Sequence, residues 1–343
     1  MSKICVVGSG SWGTAQAILL AKNQHEVNLW GRIEDGIADI KDARENRRFL
    51  PGILLPDHIQ VTDNLSQATE NAEIIVLAVP SQAVRETIIK VKPLLNNNMI
   101  IVNTAKGIEI QSGMRMSEVV ADVLGQEILR NYGVLSGPSH AEEVAREVPT
   151  AVTIAASSKE VAFALQDAYM TTDFRVYTNP DVAGVELGGA LKNIIALAAG
   201  IVHGLGFGDN TKAALITRGL AEMARMGETM GGNPRTFAGL SGIGDLFVTC
   251  NSRLSRNRRT GEMLGQGHSL ESILNQIGMV VEGVYTTKIV HNLALKRGVD
   301  MPITKACFNV LYNGGSPLEE LNEMMQRQKK HEIEEIVSNI EGW

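Results

Sequence analysis

The chain begins with a β-rich run, Lys3-Ile4-Cys5-Val6-Val7, that leads straight into Gly8-Ser9-Gly10-Ser11-Trp12-Gly13. No other stretch restricts the fold as strongly. Gly8 allows a tight strand-to-helix turn, Gly10 lets the backbone approach a pyrophosphate, and Gly13 lets the new helix pack closely on the strand. The exposed N–H groups of that helix then face the phosphate charge. Among 34 glycines in 343 residues such spacing also arises by chance, so the strand directly before it carries the reading of a dinucleotide-binding turn.

A chain of this length exceeds one compact core and predicts about two domains. With 44% hydrophobic residues it is globular rather than disordered. The apolar stretch Ala72 to Val79 is interrupted too soon to cross a bilayer, and no membrane span is expected. The strand and glycine turn account for the apolar N-terminus without a signal peptide, which predicts a cytoplasmic protein. Cys5, Cys250 and Cys307 are too few and too far apart for a disulfide framework or a metal cluster, so no metal is expected. A net charge of −6 argues against nucleic acid as a partner. An anionic substrate would need a local basic site.

The first half alternates short apolar runs with helical ones. Strands are predicted at Lys3–Val7, Glu26–Trp30, Ala72–Val79, Met99–Val102, Val134–Leu135 and Ala151–Ala155, with helices over Thr14–Lys22 and Gln82–Lys92, the second capped by Ser81. Such alternation implies a parallel sheet covered on both faces. At Asn179-Pro180, a cap followed by a first-turn proline, the texture becomes helical. Helices are predicted over Val182–Ile201, Thr211–Met226, Ser269–Ile277, Val284–Lys296 and Pro317–Asn339, with a long loop-rich stretch at Gly231–Gly267. The expected architecture is an α/β, doubly wound N-terminal domain (1–179) followed by an all-α C-terminal domain (180–343).

Several residues are suited to chemistry. Lys192 lies in Glu186-Leu187-Gly188-Gly189-Ala190-Leu191-Lys192-Asn193, on a helix apolar on nearly every side. An unpartnered buried ammonium is costly, so it either faces a polar cleft or snorkels to the surface. Desolvation would lower its pKa and make it a usable acid or base. Asp245 sits in the glycine-rich turn Ser241-Gly242-Ile243-Gly244-Asp245-Leu246. Ser255-Arg256-Asn257, at a helix start marked by its capping serine, supplies phosphate ligands or is a plain surface arginine run. Lys106 follows a strand, where such folds bind ligands, and so does Gly137-Pro138-Ser139-His140-Ala141. His140 is a candidate base, though a structural role suits it better. After Leu29-Trp30 no carboxylate arrives until Glu34, and Arg32 stands where it could bind a ribose 2′-phosphate; this favours NADP(H) while leaving NAD(H) open.

Taken together, Gly8 to Ala15, Ala105-Lys106-Gly107, Gly137-Pro138-Ser139, Leu191-Lys192-Asn193, Gly244-Asp245-Leu246 and Ser255-Arg256-Asn257 resemble the bacterial-type NAD(P)-dependent glycerol-3-phosphate dehydrogenases over nearly the whole chain. The resemblance implies a Rossmann-like first domain and reversible reduction of dihydroxyacetone phosphate to sn-glycerol 3-phosphate, for phospholipid synthesis. It implies Lys192 as acid–base residue, with Lys106, Gly137, Ser139, Lys192, Asp245, Ser255, Arg256 and Asn257 on the substrate. It further implies Gly8, Gly10, Ser11, Trp12, Gly13, Arg32, Lys106, Ala141, Arg256, Val280 and Glu282 on the cofactor. A homodimer is left open. The rival readings are a carboxylate-acting dehydrogenase of the same architecture and a nucleotide-sensing protein without catalysis.

Overall fold

The computed structural model describes residues 1–329, 331 and 332. Its first half is one eight-stranded sheet: β1 (Lys3–Val7), β2 (Glu26–Trp30), β3 (Gln60–Thr62), β4 (Ile74–Leu77), β5 (Ile100–Asn103), β6 (Tyr132–Ser136), β7 (Thr150–Ala156) and β8 (Phe174–Asn179). The spatial order is β3-β2-β1-β4-β5-β6-β7-β8. All neighbours are parallel except β6 and β7, so the expected purely parallel sheet is a mixed one. The central strands β1 and β4 are buried throughout apart from Lys3. That is why they read as continuous apolar runs rather than alternating ones. Helices α1 (Ser11–Lys22), α2 (Ile37–Ala43), α3 (Leu65–Thr69), α4 (Val84–Val91), α5 (Met116–Leu124), α6 (Ala141–Val144) and α7 (Lys159–Tyr169) flank the sheet. Two separate apolar cores result, one around Ile4, Val6 and Leu20, the other around Val7, Ile75 and Ile101. The strand order reverses between β1 and β4, and beyond the C-terminal ends of those two strands lies the crevice position where such sheets bind ligands.

The second half is helical: α8 (Val182–Gly204), α9 (Asp209–Thr229), α10 (Asp245–Asn251), α11 (Arg256–Gly265), α12 (Leu270–Ile277), α13 (Glu282–Arg297), α14 (Pro302–Tyr312) and α15 (Pro317–Met325). Helix α8 is the axis of this half and of its core. It starts differently from expectation. Asp181, not Asn179, accepts the Gly184 N–H, and Pro180 stays outside the helix. By length and hydropathy alone α8 could span a membrane, contrary to the expectation that no run is long enough. Its most apolar window is wholly buried inside the fold, so here that apolarity builds a protein core.

Glycines set the contact between α8 and α11. A Cβ on Gly261 would stand 1.9 Å from the Leu197 carbonyl oxygen, and one on Gly200 would stand 2.0 Å from that of Arg258. The stretch Gly231–Gly267 is not a loop: it holds a π-helical turn (Leu240–Gly244), α10 and all of α11. The helix expected to Asn339 ends at Met325, and the rest of that expectation past Glu332 lies outside the described residues.

Candidate functional site

The glycine turn folds as its spacing predicts. Gly8 has φ +120°, and a Cβ there would approach the Ala78 carbonyl oxygen to 2.6 Å. On Gly13 a Cβ would meet the Gly8 carbonyl oxygen at 1.9 Å, so α1 packs directly on the turn. At Gly10 there is nothing within 4 Å of the Cβ position. The α1 N-terminus, opened by Ser11 and Trp12, carries no side-chain cap. Trp12 Nε1 and Ser9 Oγ are buried with no hydrogen-bond partner among the described residues. An open cradle, free helix N–H groups and unsatisfied polar atoms together fit a dinucleotide pyrophosphate.

The next strands deliver their ends to the same crevice. Lys106, just past β5, donates to the Gly137 carbonyl oxygen at 3.0 Å and to Asp245 Oδ2 at 2.7 Å. Gly137, just past β6, has φ +144°, and a Cβ there would lie 2.9 Å from the Val152 Cα. The Ser139 hydroxyl also donates to the Gly137 carbonyl, at 3.0 Å. Ala141 opens α6 behind it.

From the other half, α8 presents Gly189 and Lys192 three residues apart, hence on one face. A Cβ at Gly189 would touch Ser136 Oγ at 2.7 Å and Lys106 Cγ at 3.3 Å, so glycine there lets the sheet loops reach the helix. Lys192 does face the cleft rather than the surface. Its ammonium donates to Asp245 Oδ1 at 2.5 Å and to Thr249 Oγ1 at 2.7 Å, with the residue 6% exposed. One carboxylate thus bridges two lysines, one from each half. Burial draws the Lys192 ammonium down to about 8, with Lys106 adding to the fall and Asp245 opposing it. For Asp245, burial favours the acid form, but the charges and bonds of Lys106 and Lys192 outweigh it and hold the carboxyl below its usual range.

The serine–arginine–asparagine cluster is a true helix start. Ser255 is the N-cap of α11 and accepts the Arg258 N–H. Arg256 donates Nη1 to the Val280 carbonyl at 2.8 Å and has no carboxylate within ion-pair distance among the described residues. Burial lowers its pKa despite Glu282 and Glu142. Asn257 is already engaged: its Nδ2 donates to Asn193 Oδ1 and its Oδ1 accepts the Gly283 N–H. Glu282 begins α13, and both its oxygens hold Ser81, at 2.9 Å to the N–H and 2.6 Å from the hydroxyl. Ser81 is therefore not a side-chain cap for α4.

His140 stands among these charges. Burial and then Lys192 press its imidazole down to about 4, with Lys106 and Arg256 assisting and Asp245 opposing. Its buried Nε2 has no partner. A neutral ring of such low basicity is a poor general base at neutral pH. Arg32 lies at the far corner of the crevice, paired with Asp35. Thr249 and Ser136 went unread in the sequence. The only signal for Thr249 is its place one turn after Asp245, and Ser136 hides at the end of a buried strand. Among the described residues no group of His, Cys, Asp or Glu is placed to hold a metal ion, and all three cysteines are free and buried.

Residues 3–162 match the family described as NAD-dependent glycerol-3-phosphate dehydrogenase N-terminus, and residues 181–322 match the corresponding C-terminus. A glycerol-3-phosphate dehydrogenase (NAD(P)+) of Syntrophomonas wolfei subsp. wolfei is 63% identical over 343 residues, which is 100% of each chain. A protein of that name from Bacillus mycoides is 52% identical over 336 residues, covering 98% of this chain and 99% of its own. The crystal structure of glycerol-3-phosphate dehydrogenase from Coxiella burnetii is similar with a TM-score of 0.91 at 39% identity, over 95% of this chain and 99% of that one.

Proposed function

The chain belongs to the NAD-dependent glycerol-3-phosphate dehydrogenase family, and from that premise we propose that it interconverts dihydroxyacetone phosphate and sn-glycerol 3-phosphate with Lys192 as proton donor and acceptor. It is an NAD(P)-dependent oxidoreductase. The observation that carries the assignment of Lys192 is the Asp245 bridge, which gathers Lys106 and Lys192 at the end of the glycine-turn crevice.

An ammonium has three N–H donors. Asp245 and Thr249 take two from Lys192, and the third is left for a substrate oxygen. A dinucleotide held at the Gly8–Gly13 turn would supply the hydride for reduction of the ketone carbon. Lys192 polarises the carbonyl oxygen and gives it a proton as the alkoxide forms, and in oxidation it removes that proton. An acid with a pKa of about 8 is matched to both directions near neutral pH. Asp245 keeps the ammonium aimed, and through Lys106 it fixes the sheet-side wall. Lys106 has one N–H left beyond Gly137 and Asp245, which suits it to the substrate beside the cofactor.

Ser255, Arg256 and Asn257 at the α11 N-terminus hold the phosphate, where helix N–H groups and an arginine without a carboxylate partner favour an anion. Gly137 and Ser139 line the substrate side. Gly8, Gly10, Ser11, Trp12, Gly13 and Ala141 line the cofactor side, which Val280 and Glu282 complete through Arg256 and Ser81. Arg32 and the lack of a strand-end carboxylate favour NADP(H) over NAD(H). In this division residues 1–179 carry the cofactor and 180–343 most of the substrate, in a cytoplasmic enzyme that supplies the glycerophospholipid backbone.

The direct test follows absorbance at 340 nm with NADPH or NADH and dihydroxyacetone phosphate, against a 3-oxo acid as control. Oxidation that depends on the phosphate ester supports the assignment. Turnover of the oxo acid alone would point to a carboxylate-acting relative, and no turnover with cofactor bound would point to a sensor.

A further inference from the structure

Arg32 stands at the C-terminal end of β2, where the adenosine ribose of a dinucleotide lies in this fold. Its guanidinium is already engaged. Within the turn Ile33–Asp35, Nε donates to Asp35 Oδ2 at 2.8 Å and Nη2 donates to Asp35 Oδ1 at 3.0 Å. The pair is a bidentate fork, with the arginine side chain 60% and the aspartate 29% exposed. Glu34 and Glu86 also act on Arg32 through their charges. A second cation closes the corner: Arg48 donates to the Glu34 carbonyl at 3.1 Å and lies 4.8 Å from the Phe49 ring centroid. Two arginines therefore share this corner with three carboxylates.

The position next to Arg32 is closed to a side chain. A Cβ on Gly31 would come within 2.1 Å of Ser9 Oγ and 2.7 Å of Ser9 Cβ. An acidic reader of the ribose hydroxyl cannot be placed at that residue without moving the glycine turn. The nearest well-placed carboxylate is Asp35, and it points at the arginine.

We propose that Asp35 sets the balance between the two dinucleotides, as a built-in competitor of the 2′-phosphate for Arg32. This rests on the nucleotide reading given above and goes beyond it. Arginine recognises phosphate best through two parallel N–H donors, and the Nε–Nη2 edge that offers them is held by Asp35. A 2′-phosphate must use the opposite edge, Nη1 with the second proton of Nη2, beside a fixed negative charge. A 2′-hydroxyl meets no such repulsion. The chain is thereby kept from strict NADP selectivity although it lacks the acidic residue of an NAD-specific strand end.

Calorimetric binding of 2′,5′-ADP and 5′-AMP to the wild-type protein and to Asp35→Asn tests this without turnover. The turn is exposed, and asparagine keeps its shape and one acceptor. The expected result is tighter binding of 2′,5′-ADP by about threefold, the scale of one partly exposed ion pair, with 5′-AMP unchanged. The gain should shrink at high ionic strength. Unchanged 2′,5′-ADP binding would overturn the proposal, and so would weakened 5′-AMP binding, since Asp35 would then be reading the hydroxyl. If the wild-type protein binds neither fragment, the nucleotide reading fails first and the proposal with it. Added to Arg32→Met, Asp35→Asn should bring no gain in 2′,5′-ADP binding, and a gain there would overturn the proposal in favour of a general field effect.

Discussion

Burial draws the Lys192 pKa down, and Asp245, the carboxylate bonded to that ammonium, opposes the fall. In the proposed role of Lys192, reduction uses the protonated lysine, so kcat for dihydroxyacetone phosphate should fall as pH rises through about 8, while oxidation of glycerol 3-phosphate rises over the same range. Asp245→Asn removes the charge that supports the ammonium and leaves Lys106 to repel it. The falling limb should therefore move to lower pH in a kcat profile, and an unmoved limb would mean that another group titrates. Lys192→Met should lose at least about 100-fold in kcat, the usual worth of a positioned proton donor. Arg256→Ala should instead act on affinity. A charge-assisted bond to phosphate is worth roughly 1.5–3 kcal/mol, so KM for the phosphate ester should rise about 10- to 100-fold with a smaller change in kcat. Steady-state kinetics separate the two variants.

Secondary elements carry this geometry through backbone contact. The glycines of α8 and α11 let the lysine helix and the phosphate helix touch, so Gly261→Ala must push them apart. Overpacking of this kind costs about 1–3 kcal/mol, measurable by denaturant unfolding, and should raise KM for the phosphate ester together with the loss of stability. Helix α14 depends on another element in a different way. Its first N–H groups, Ile303 at 2.6 Å and Thr304 at 3.3 Å, are capped by Glu222 from α9. Burial lifts that carboxyl to about 7, from 4.5. Between those values the unfolded chain releases the proton and the folded one keeps it, so this contribution to stability is lost as pH rises. Glu222→Gln keeps an acceptor and removes the titration. The stability difference between variant and wild type should shift by on the order of 2 kcal/mol in the variant's favour from pH 5 to 7, and a constant difference would show that Glu222 does not titrate there. The sequence made elements legible where burial is uniform: β4 is apolar end to end, β1 is so after Lys3, and α8 is buried over nearly its whole length. It hid β8, whose exposed Arg175 and Tyr177 break the apolar run, and β3, only three residues long. The antiparallel β6–β7 pair left no mark, since strand direction depends on a crossover and not on side-chain pattern.

At the scale of the whole molecule the chemistry belongs to a seam, which explains what could be read from the sequence alone. Lys192, Arg256 and the glycine turn each show themselves within about ten residues. The Glu282–Ser81 clamp spans 201 positions and the Lys106–Asp245 pair spans 139, so no local pattern reports them. Both are carboxylates of the helical half that hold donors of the sheet half. Glu186, six residues before Lys192 on α8, is a third: it accepts bonds from the Arg115 guanidinium, the Ser117 N–H and hydroxyl, and the Tyr132 hydroxyl. Burial pushes its carboxyl up against these partners. The two halves are thus joined by a line of polar ties at fixed places, and α8 is anchored to the sheet half directly near its start and, at Lys192, through Asp245 and Lys106. Glu186→Ala leaves Arg115 with a lost partner in a buried place, a change that costs about 3–5 kcal/mol. That loss falls on the seam and leaves the three apolar cores intact. Calorimetric unfolding should therefore separate into two transitions, with kcat lowered because Lys192 and Lys106 no longer keep register. A single transition with kcat unchanged would mean that Asp245 and Glu282 suffice to couple the halves, and that Glu186 serves only to cap the first turn of α5.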